Sequence, residues 1–178
     1  MTTLPPPVRL VTARLALEPL RVEHAHEMAA VLDDPLLHEF TGGAPAGLDE
    51  LTARYQRQVT GRSDDGTEQW FNWVLRSRDD GRPAGYVQAT VVDDTAEIAW
   101  VVGTAHQRQG LAREGAAAMT GWLTTHGVRR LVAHVHAAHA ASAAVARSLG
   151  LVPTDDVVDG EVRWVGQPPC VSSLRKSV

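Results

Sequence analysis

Apolar residues alternate with polar ones in several stretches, which is the period of a β-strand with one buried face. The alternation predicts a first strand over Arg9–Leu20, a hairpin meander in the middle of the chain and a strand pair near its end. Turn residues such as Asp79-Asp80-Gly81 and Asp159-Gly160 separate these strands. The later predicted strands are Trp70–Arg78, Ala84–Val92, Ala96–Gly103, Leu131–His136, Leu151–Val158 and Glu161–Val165.

Four other stretches carry apolar residues at spacings of three and four, which is typical of helices packed on one side. Gly127 and Gly150 follow two of them, where a helix often ends in a left-handed residue. Pro35 ends the first, because proline disfavours helical geometry in the residue before it. The predicted helices are Val22–Leu32, Leu48–Thr60, Leu111–His126 and Ala138–Leu149.

This order of elements predicts an α/β fold, in the sense of a mixed α+β sheet with helices on both faces. Antiparallel hairpins form its middle, and one β-α-β unit joins Ala96–Gly103 to Leu131–His136. A length of 178 residues fits one domain, 1–178.

The overall charge narrows the choice of partners. A net charge of −4, without a run of Lys or Arg, argues against nucleic acid. No apolar run is long enough for a bilayer, and the N-terminal residues do not read as a signal peptide, so a cytoplasmic location without membrane contact is expected. The single cysteine, Cys170, has no evident base beside it and is expected to be a bystander thiol.

The segment Gly103–Glu114 runs from a strand through a short polar loop directly into a long helix. The first amides of such a helix lack intrahelical partners and lie at its positive end, where an anion is stabilised. Gly110 leaves room for a phosphate to approach, and Arg108 and Arg113 add positive charge. A glycine that merely turns the chain is the alternative interpretation.

Within this segment, Gln107-x-x-Gly110-x-Ala112 resembles the Q/R-x-x-G-x-G/A motif of the GNAT superfamily of N-acyltransferases. The preceding strand, A-E-I-A-W from Ala96, is similar to the A-E-I-G-Y of that family. Residues 12–20, T-A-R-L-A-L-E-P-L, resemble the opening of the branch that contains ribosomal-protein N-terminal acetyltransferases. The S-L-G-L ending at Leu151 is similar to the K-L-G-F of the same branch.

The resemblance implies acetyl-CoA as cofactor and a mostly antiparallel sheet of about seven strands, splayed between the fourth and the fifth. It further implies that backbone amides between Arg108 and Arg113 hold the pyrophosphate, and that the backbone of Val101 and Val102 pairs with the pantetheine arm. The cofactor-binding residues expected in the loop and first helical turn are Gln107, Arg108, Gln109, Gly110, Leu111, Ala112 and Arg113.

The resemblance also assigns catalytic candidates. Glu97 corresponds to a general base, and alternation places it on one strand face with Ala99 and Val101; the alternative is an exposed carboxylate at a strand end. Ser142 corresponds to the proton donor for the thiolate, with a cofactor contact or helix packing as alternatives. His139 stands where relatives have an Asn that contacts pantetheine, which leaves that contact open.

Several other residues have more than one interpretation. Trp100 is expected to line the acceptor pocket, because it lies in the cofactor strand. His134, His136 and His139 lie near one strand end, but without a paired Cys or carboxylate no metal site is predicted. The loops Pro35–Pro45 and Gly61–Thr67 are expected to shape the pocket.

The leading hypothesis is therefore an acetyl-CoA-dependent N-acetyltransferase whose acceptor, a small-molecule or peptide primary amine, attacks directly in a ternary complex. One alternative is a non-catalytic acyl-CoA-binding or protein-interaction module on the same fold. A nucleotide-binding domain is disfavoured, because neither G-x-G-x-x-G nor a Walker-type lysine is present. The acidic balance favours a cationic acceptor, and similar proteins are commonly homodimers.

Overall fold

A mixed sheet of eight strands forms the centre of the molecule in the computed structural model, which describes residues 3–40 and 43–168. The strand order is β1-β2-β3-β4-β5-β6-β8-β7, and all neighbours are antiparallel except β5 and β6. The strands are β1 Leu10–Val11, β2 Leu15–Pro19, β3 Gln69–Ser77, β4 Pro83–Val92, β5 Thr95–Val102, β6 Arg130–His136, β7 Val152–Val158 and β8 Glu161–Gly166.

Four helices cover the two faces of this sheet: α1 His24–Leu32, α2 Leu48–Gln58, α3 Leu111–Thr125 and α4 Ala140–Ser148. Short 3₁₀ turns at Pro35–His38 and Thr104–His106 follow α1 and precede α3. The α/β class, the mixed sheet and the helices on both faces are confirmed, and most element boundaries agree with the pattern within two or three residues.

The predicted strand Arg9–Leu20 is two strands. A turn at residues 12–14 reverses the chain, so that Leu10 pairs with Leu17 in an antiparallel ladder. The Thr12 amide donates to the Leu15 carbonyl, and the Thr12 hydroxyl accepts from the Leu15 amide, which closes the turn. This extra strand raises the count from about seven to eight.

The predicted splay lies between β5 and β6, the fourth and fifth strands as the sequence pattern orders them. These parallel strands pair only from Thr95↔Arg130 to Glu97↔Val132 and then diverge. On its other side, β5 stays paired with β4 along its whole length. Gly85 of β4 is required here, because a Cβ would overlap the Val101 carbonyl oxygen and lie 2.8 Å from the Val102 Cα.

Two hydrophobic clusters hold the layers together. The larger cluster packs α3 and α4 on one face of the sheet, through Met119, Trp122 and Leu149 among others. The smaller cluster packs α1 and α2 on the opposite face, through Met28, Leu51 and Tyr55 against Val74. Burial alternates along β3 to β5 accordingly, because every second residue of a strand faces α3 and α4 and the residues between them face α1 and α2.

No helix within the described residues is long and apolar enough to cross a membrane. Cys170, expected to be a bystander thiol, lies outside the residues that the structure describes.

Candidate active site

The N-terminus of α3 presents free backbone amides. The first i→i−4 bond of the helix runs from the Glu114 amide to the Gly110 carbonyl. Within the described part of the chain, none of the amides from Arg108 to Arg113 donates a hydrogen bond to another protein group. These amides, together with the positive end of the helix dipole, make a site for an anion.

The loop before α3 is held in an unusual conformation. Gly110 and Arg108 both have positive φ values, 76° and 62°. The Gln107 side chain donates to the Val102 carbonyl over 3.1 Å, which ties the loop to the end of β5. A Cβ placed on Gly110 would have the Arg14 Nη2, at 3.5 Å, as its nearest neighbour outside the loop. The space in front of these amides is therefore open to a diphosphate.

The predicted loop residues contribute in different ways. Arg108, Gln109 and Arg113 are exposed, while the Leu111 side chain is buried in the larger cluster, which leaves only its amide for a ligand. Ala112 packs partly against the same cluster and keeps the first turn shallow.

An ion pair and hydrogen bonds from the β1–β2 turn, which the sequence pattern did not reveal, stabilise this end of the helix. Arg14, in the β1–β2 turn, pairs with Glu114 of the first helical turn, with 2.7 Å between Nη2 and Oε2. Arg14 also donates to the Gln109 carbonyl, and Thr12 donates to Glu114. Burial opposes the ionisation of Glu114, but the bonds from Thr12 and Arg14 outweigh it and lower the pKa of this carboxyl. The only signal in the sequence is Arg14 itself, inside the T-A-R-L motif.

The splay exposes one edge of β5. Beyond Glu97, no residue of β5 pairs with β6, so among the described residues Val101 and Val102 have strand partners on the β4 side only. An extended ligand entering between the strands meets an unpaired edge there, next to the loop that Gln107 fixes.

Glu97 lies at the last paired position before the splay. Its side chain is 62% exposed, and its Oε2 lies 3.8 Å from the Nε2 of His134 on β6. Its pairing with Thr90 of β4 places it on the α1–α2 face of the sheet, with Ala99 and Val101 as alternation predicts.

Ser142 and His139 lie at the start of α4, across the splay from β5. Ser142 is half-buried, and its hydroxyl makes no hydrogen bond among the described residues. The His139 ring packs 4.3 Å from the Phe40 ring, and His136 packs against the same ring at 5.4 Å. Burial, with a smaller effect of His136, lowers the pKa of His139, so its imidazole is a neutral donor or acceptor.

Two adjoining hollows of about 210 and 220 Å³ open on the α1–α2 face; together we call them the α2 cavity. Most of their walls come from α2, β3 and β4, with Leu20 and Leu32 at one side. The loops 35–45 and 61–67 were expected to shape the pocket, but none of their described residues lines these hollows. The polar and aromatic lining residues are Arg54, Tyr55, Arg57, Gln58, Trp70, Asn72, Trp73, Tyr86, Gln88 and Thr90.

Trp100 lies on the other side of the sheet. Its strand partner is Val87, which is fully buried in the larger cluster, and the Trp100 ring packs against that cluster. Trp100 is therefore not part of the α2 cavity, and its predicted role as an acceptor contact lacks support there. The α2 cavity is adjacent to β5 through other residues, since Gln88 pairs with Ala99 and Thr90 with Glu97.

The histidines near the end of β6 have separate surroundings: His134 faces Glu97, whereas His136 and His139 pack on Phe40. Within residues 3–40 and 43–168, no group of three or more His, Cys, Asp or Glu side chains is arranged to hold a metal ion.

A splayed β5–β6 pair and a strand–loop–helix anion site define a class of cofactor-binding α/β enzymes, and the comparison with protein families agrees. A family model described as "Acetyltransferase (GNAT) domain" matches residues 14–152. The chain belongs to the GNAT acetyltransferase family, and it is an acetyltransferase that takes its acetyl group from acetyl-CoA. The free amides of α3 and the space before them fit the diphosphate of that cofactor.

Solved structures share the fold. A Vibrio cholerae protein provisionally described as a ribosomal-protein-serine acetyltransferase is 18% identical, with a TM-score of 0.69 over 92% of this chain and 99% of that one. Spermidine N-acetyltransferase from Vibrio cholerae, solved with CoA and spermine, is 16% identical, with a TM-score of 0.72 over 88% and 97% of the two chains. The microcin C7 self-immunity acetyltransferase MccE, solved with acetyl-CoA and AMP, is 12% identical, with a TM-score of 0.69 over 88% and 92%. A search of the curated proteins found no match.

Proposed function

We propose that the chain transfers the acetyl group of acetyl-CoA to a primary amine by direct attack in a ternary complex. The observation that carries this proposal is the row of free amides from Arg108 to Arg113 beside the unpaired edge of β5. The amides bind the diphosphate, and the backbone of Val101 and Val102 aligns the pantetheine arm. Both interactions position the donor without covalent chemistry by the protein.

The amine must be neutral when it attacks, and Glu97 is the group we assign to this task. Its carboxylate lies on the same face as the α2 cavity, one strand away from Thr90 in the cavity wall. We propose that it accepts the amine proton, directly or through a water molecule. The His134 Nε2 lies 3.8 Å from this carboxylate, which is near but beyond hydrogen-bond distance.

Acetyl-CoA supplies an activated thioester, whose leaving group is a thiolate. Ser142 lies at the start of α4 with its hydroxyl free among the described residues, and we assign it the proton that the thiolate receives. His139 takes the place of the family Asn, and its neutral ring offers a nitrogen to the pantetheine amides. The cytoplasmic location expected from the sequence is part of the same proposal.

Replacement of Gly110 by valine tests the cofactor site. A β-branched residue is strained at a φ of 76°, so the loop amides leave their positions and CoA binding, measured by calorimetry, weakens by about tenfold or more. Gly121→Ala is the matched control in the same helix, because a Cβ at Gly121 meets nothing within 4 Å. Undiminished CoA affinity in a folded Gly110→Val variant would contradict the proposed diphosphate site at the amides of Arg108 to Arg113.

A further inference from the structure

The wall of the α2 cavity is rich in hydrogen-bond donors and carries positive charge. The ionised side chains in the wall are those of Arg54 and Arg57, both on α2, and no residue of the lining is acidic. Amide side chains from three different elements complete the polar lining, namely Gln58, Asn72 and Gln88. Such a set of groups is complementary to a ligand that accepts hydrogen bonds and carries negative charge.

The two arginines are available to different degrees. Arg54 is 3.2 Å from Glu50 in an i,i+4 ion pair whose side chains are 42% and 68% exposed. An exposed pair of this kind contributes little, so a ligand carboxylate can compete for Arg54. Within the described part of the chain, the Arg57 side chain has neither an ion-pair partner nor a hydrogen-bond acceptor. Its exposed guanidinium is therefore available to a ligand carboxylate.

A buried hydroxyl in the same wall points to a ligand independently. Tyr55 is only 4% exposed, and its hydroxyl has no hydrogen-bond partner among the described residues. Burial, with a smaller contribution from Tyr86, raises the pKa of Tyr55, so the hydroxyl stays protonated and offers a donor. A buried donor without an acceptor is costly, and a ligand oxygen in the cavity removes that cost.

The acidic groups nearby do not cancel this preference. Glu68 at the rim accepts from the Trp70 indole over 2.9 Å, and Glu27 is paired with Arg76. Glu97 is the cross-strand partner of Thr90 and lies at the β5 end of the cavity. Negative charge is therefore found where the amine reacts, and positive charge on α2, where the rest of the acceptor lies.

We propose that the acceptor is a primary amine that also carries a carboxylate, which the guanidinium groups of Arg57 and Arg54 bind while the amine faces Glu97. This inference rests on the proposed function and names the substrate class of its acceptor site. It reverses the expectation from net charge, because a charge of −4 describes the whole surface, whereas the lining of one cavity decides its ligand. An amino acid and a short acidic peptide share this chemistry.

Matched acceptors test the proposal, with thiol release from acetyl-CoA as the readout. The peptide arm compares the amidated tripeptides Ser-Glu-Ala and Ser-Gln-Ala; the amino-acid arm compares glutamate with its diamide at equal concentrations of neutral amine. Spermidine is the polycationic comparison. At least one arm is expected to show kcat/KM about tenfold higher for the carboxylate form, and the arm that does so identifies the source.

Variants then locate the preference. Arg57→Gln is expected to bring the ratio between the carboxylate and amide forms close to one, mainly through KM, and Tyr55→Phe to lower it severalfold without loss of stability. Arg9→Gln removes an exposed arginine that does not line the cavity, and it leaves the ratio unchanged. Equal or better use of the uncharged or polycationic acceptors by the wild type would overturn the inference.

A binding measurement separates this inference from the proposed function. The N-acetylated Glu and Gln peptides are titrated calorimetrically against the CoA complex, which needs no turnover. Tighter binding of the Glu peptide that is abolished by Arg57→Gln supports the carboxylate site, even if no acceptor releases thiol. An absence of thiol release would count against the transferase reaction alone. Equal binding of both peptides would overturn the carboxylate site even in an active enzyme.

Discussion

At the scale of single residues, the proton-accepting role proposed for Glu97 can be tested directly by substitution. Glu97→Gln preserves the shape of the side chain but removes the base, so turnover falls most at low pH, where few amines are neutral. We expect kcat/KM near pH 7 to fall about 100-fold, the lower end of what general base catalysis contributes, and the deficit to shrink as the pH rises past the pKa of the amine.

The control is Asp155→Asn, which removes an exposed carboxylate from β7 at the far edge of the sheet and leaves the pH–rate profile unchanged. His134→Gln tests whether the imidazole of His134 is the base instead, because it lies 3.8 Å from the Glu97 carboxylate. A Glu97→Gln profile identical to that of the wild type would remove Glu97 from the mechanism, and a changed His134→Gln profile would then transfer the role to the imidazole.

Residue periodicity predicted part of this site and missed another part. Alternation placed Glu97, Ala99 and Val101 on one face, and β5 has them there. The same alternation places Trp100 on the opposite face with Ile98, so its acceptor role stays a prediction that the α2 cavity does not support. Arg57 and Tyr55 gave no local signal, because a helix pattern does not reveal which strands lie beneath it.

At the scale of elements, the start of α3 depends on the β1–β2 turn. Arg14 and Thr12 both donate hydrogen bonds to the Glu114 carboxylate. A negative charge is stabilised at the positive end of the helix, but this one lies beside a site for a diphosphate. Arg14 therefore neutralises a charge that would otherwise repel the cofactor. The contacts of Arg14 and Thr12 with Glu114 join residues about 100 positions apart, so no local sequence pattern reveals them. The hairpin inside Arg9–Leu20 also became visible only in the fold.

Arg14→Ala leaves the Glu114 charge unpaired, and we expect the Kd of CoA to rise about tenfold at low salt, with a smaller effect at about 0.5 M salt. Glu114→Gln has the opposite sign and frees Arg14 for the phosphates, so affinity is unchanged or higher. The double variant returns close to the wild-type Kd if charge is decisive. A double variant as weak as Arg14→Ala would show instead that Arg14 acts by bracing the loop through Gln109.

At the scale of the whole molecule, the two faces of the sheet carry the two parts of the candidate site. The α3 side provides the cofactor loop, and the α1–α2 side provides the α2 cavity; the two meet at the edge of β5, where the parallel pairing stops after Glu97. The order of elements was enough to predict this mixed sheet, and the family resemblance implied its splay. The charges of the acceptor side were beyond prediction, since they depend on how α2 lies across β3 and β4.

The α1–α2 layer also makes the stability of the molecule sensitive to acid. His24, at the start of α1, is 2% exposed; its Nδ1 accepts from the Arg21 amide, and its Nε2 lies 3.6 Å from the Glu18 Oε2. Burial and then the charge of Arg21 lower the pKa of His24 below its usual 6.5, despite the opposing effects of Glu27 and Glu18. The folded state therefore holds this ring neutral at a pH where the unfolded chain already binds a proton.

A lowered histidine pKa means that the unfolded chain binds more protons below pH 6.5, so the free energy of unfolding is highest above that value and declines as the pH falls through the folded pKa. We expect the Tm, measured by calorimetry between about pH 8 and about pH 5, to decrease below pH 6.5. His24→Gln keeps an acceptor for the Arg21 amide but cannot charge, so its decline is shallower. His139, whose pKa burial also lowers, accounts for part of the remainder, and His24→Gln/His139→Gln flattens the curve further. A His24→Gln curve parallel to that of the wild type would show that the buried ring does not control the acid sensitivity of the α1–α2 layer.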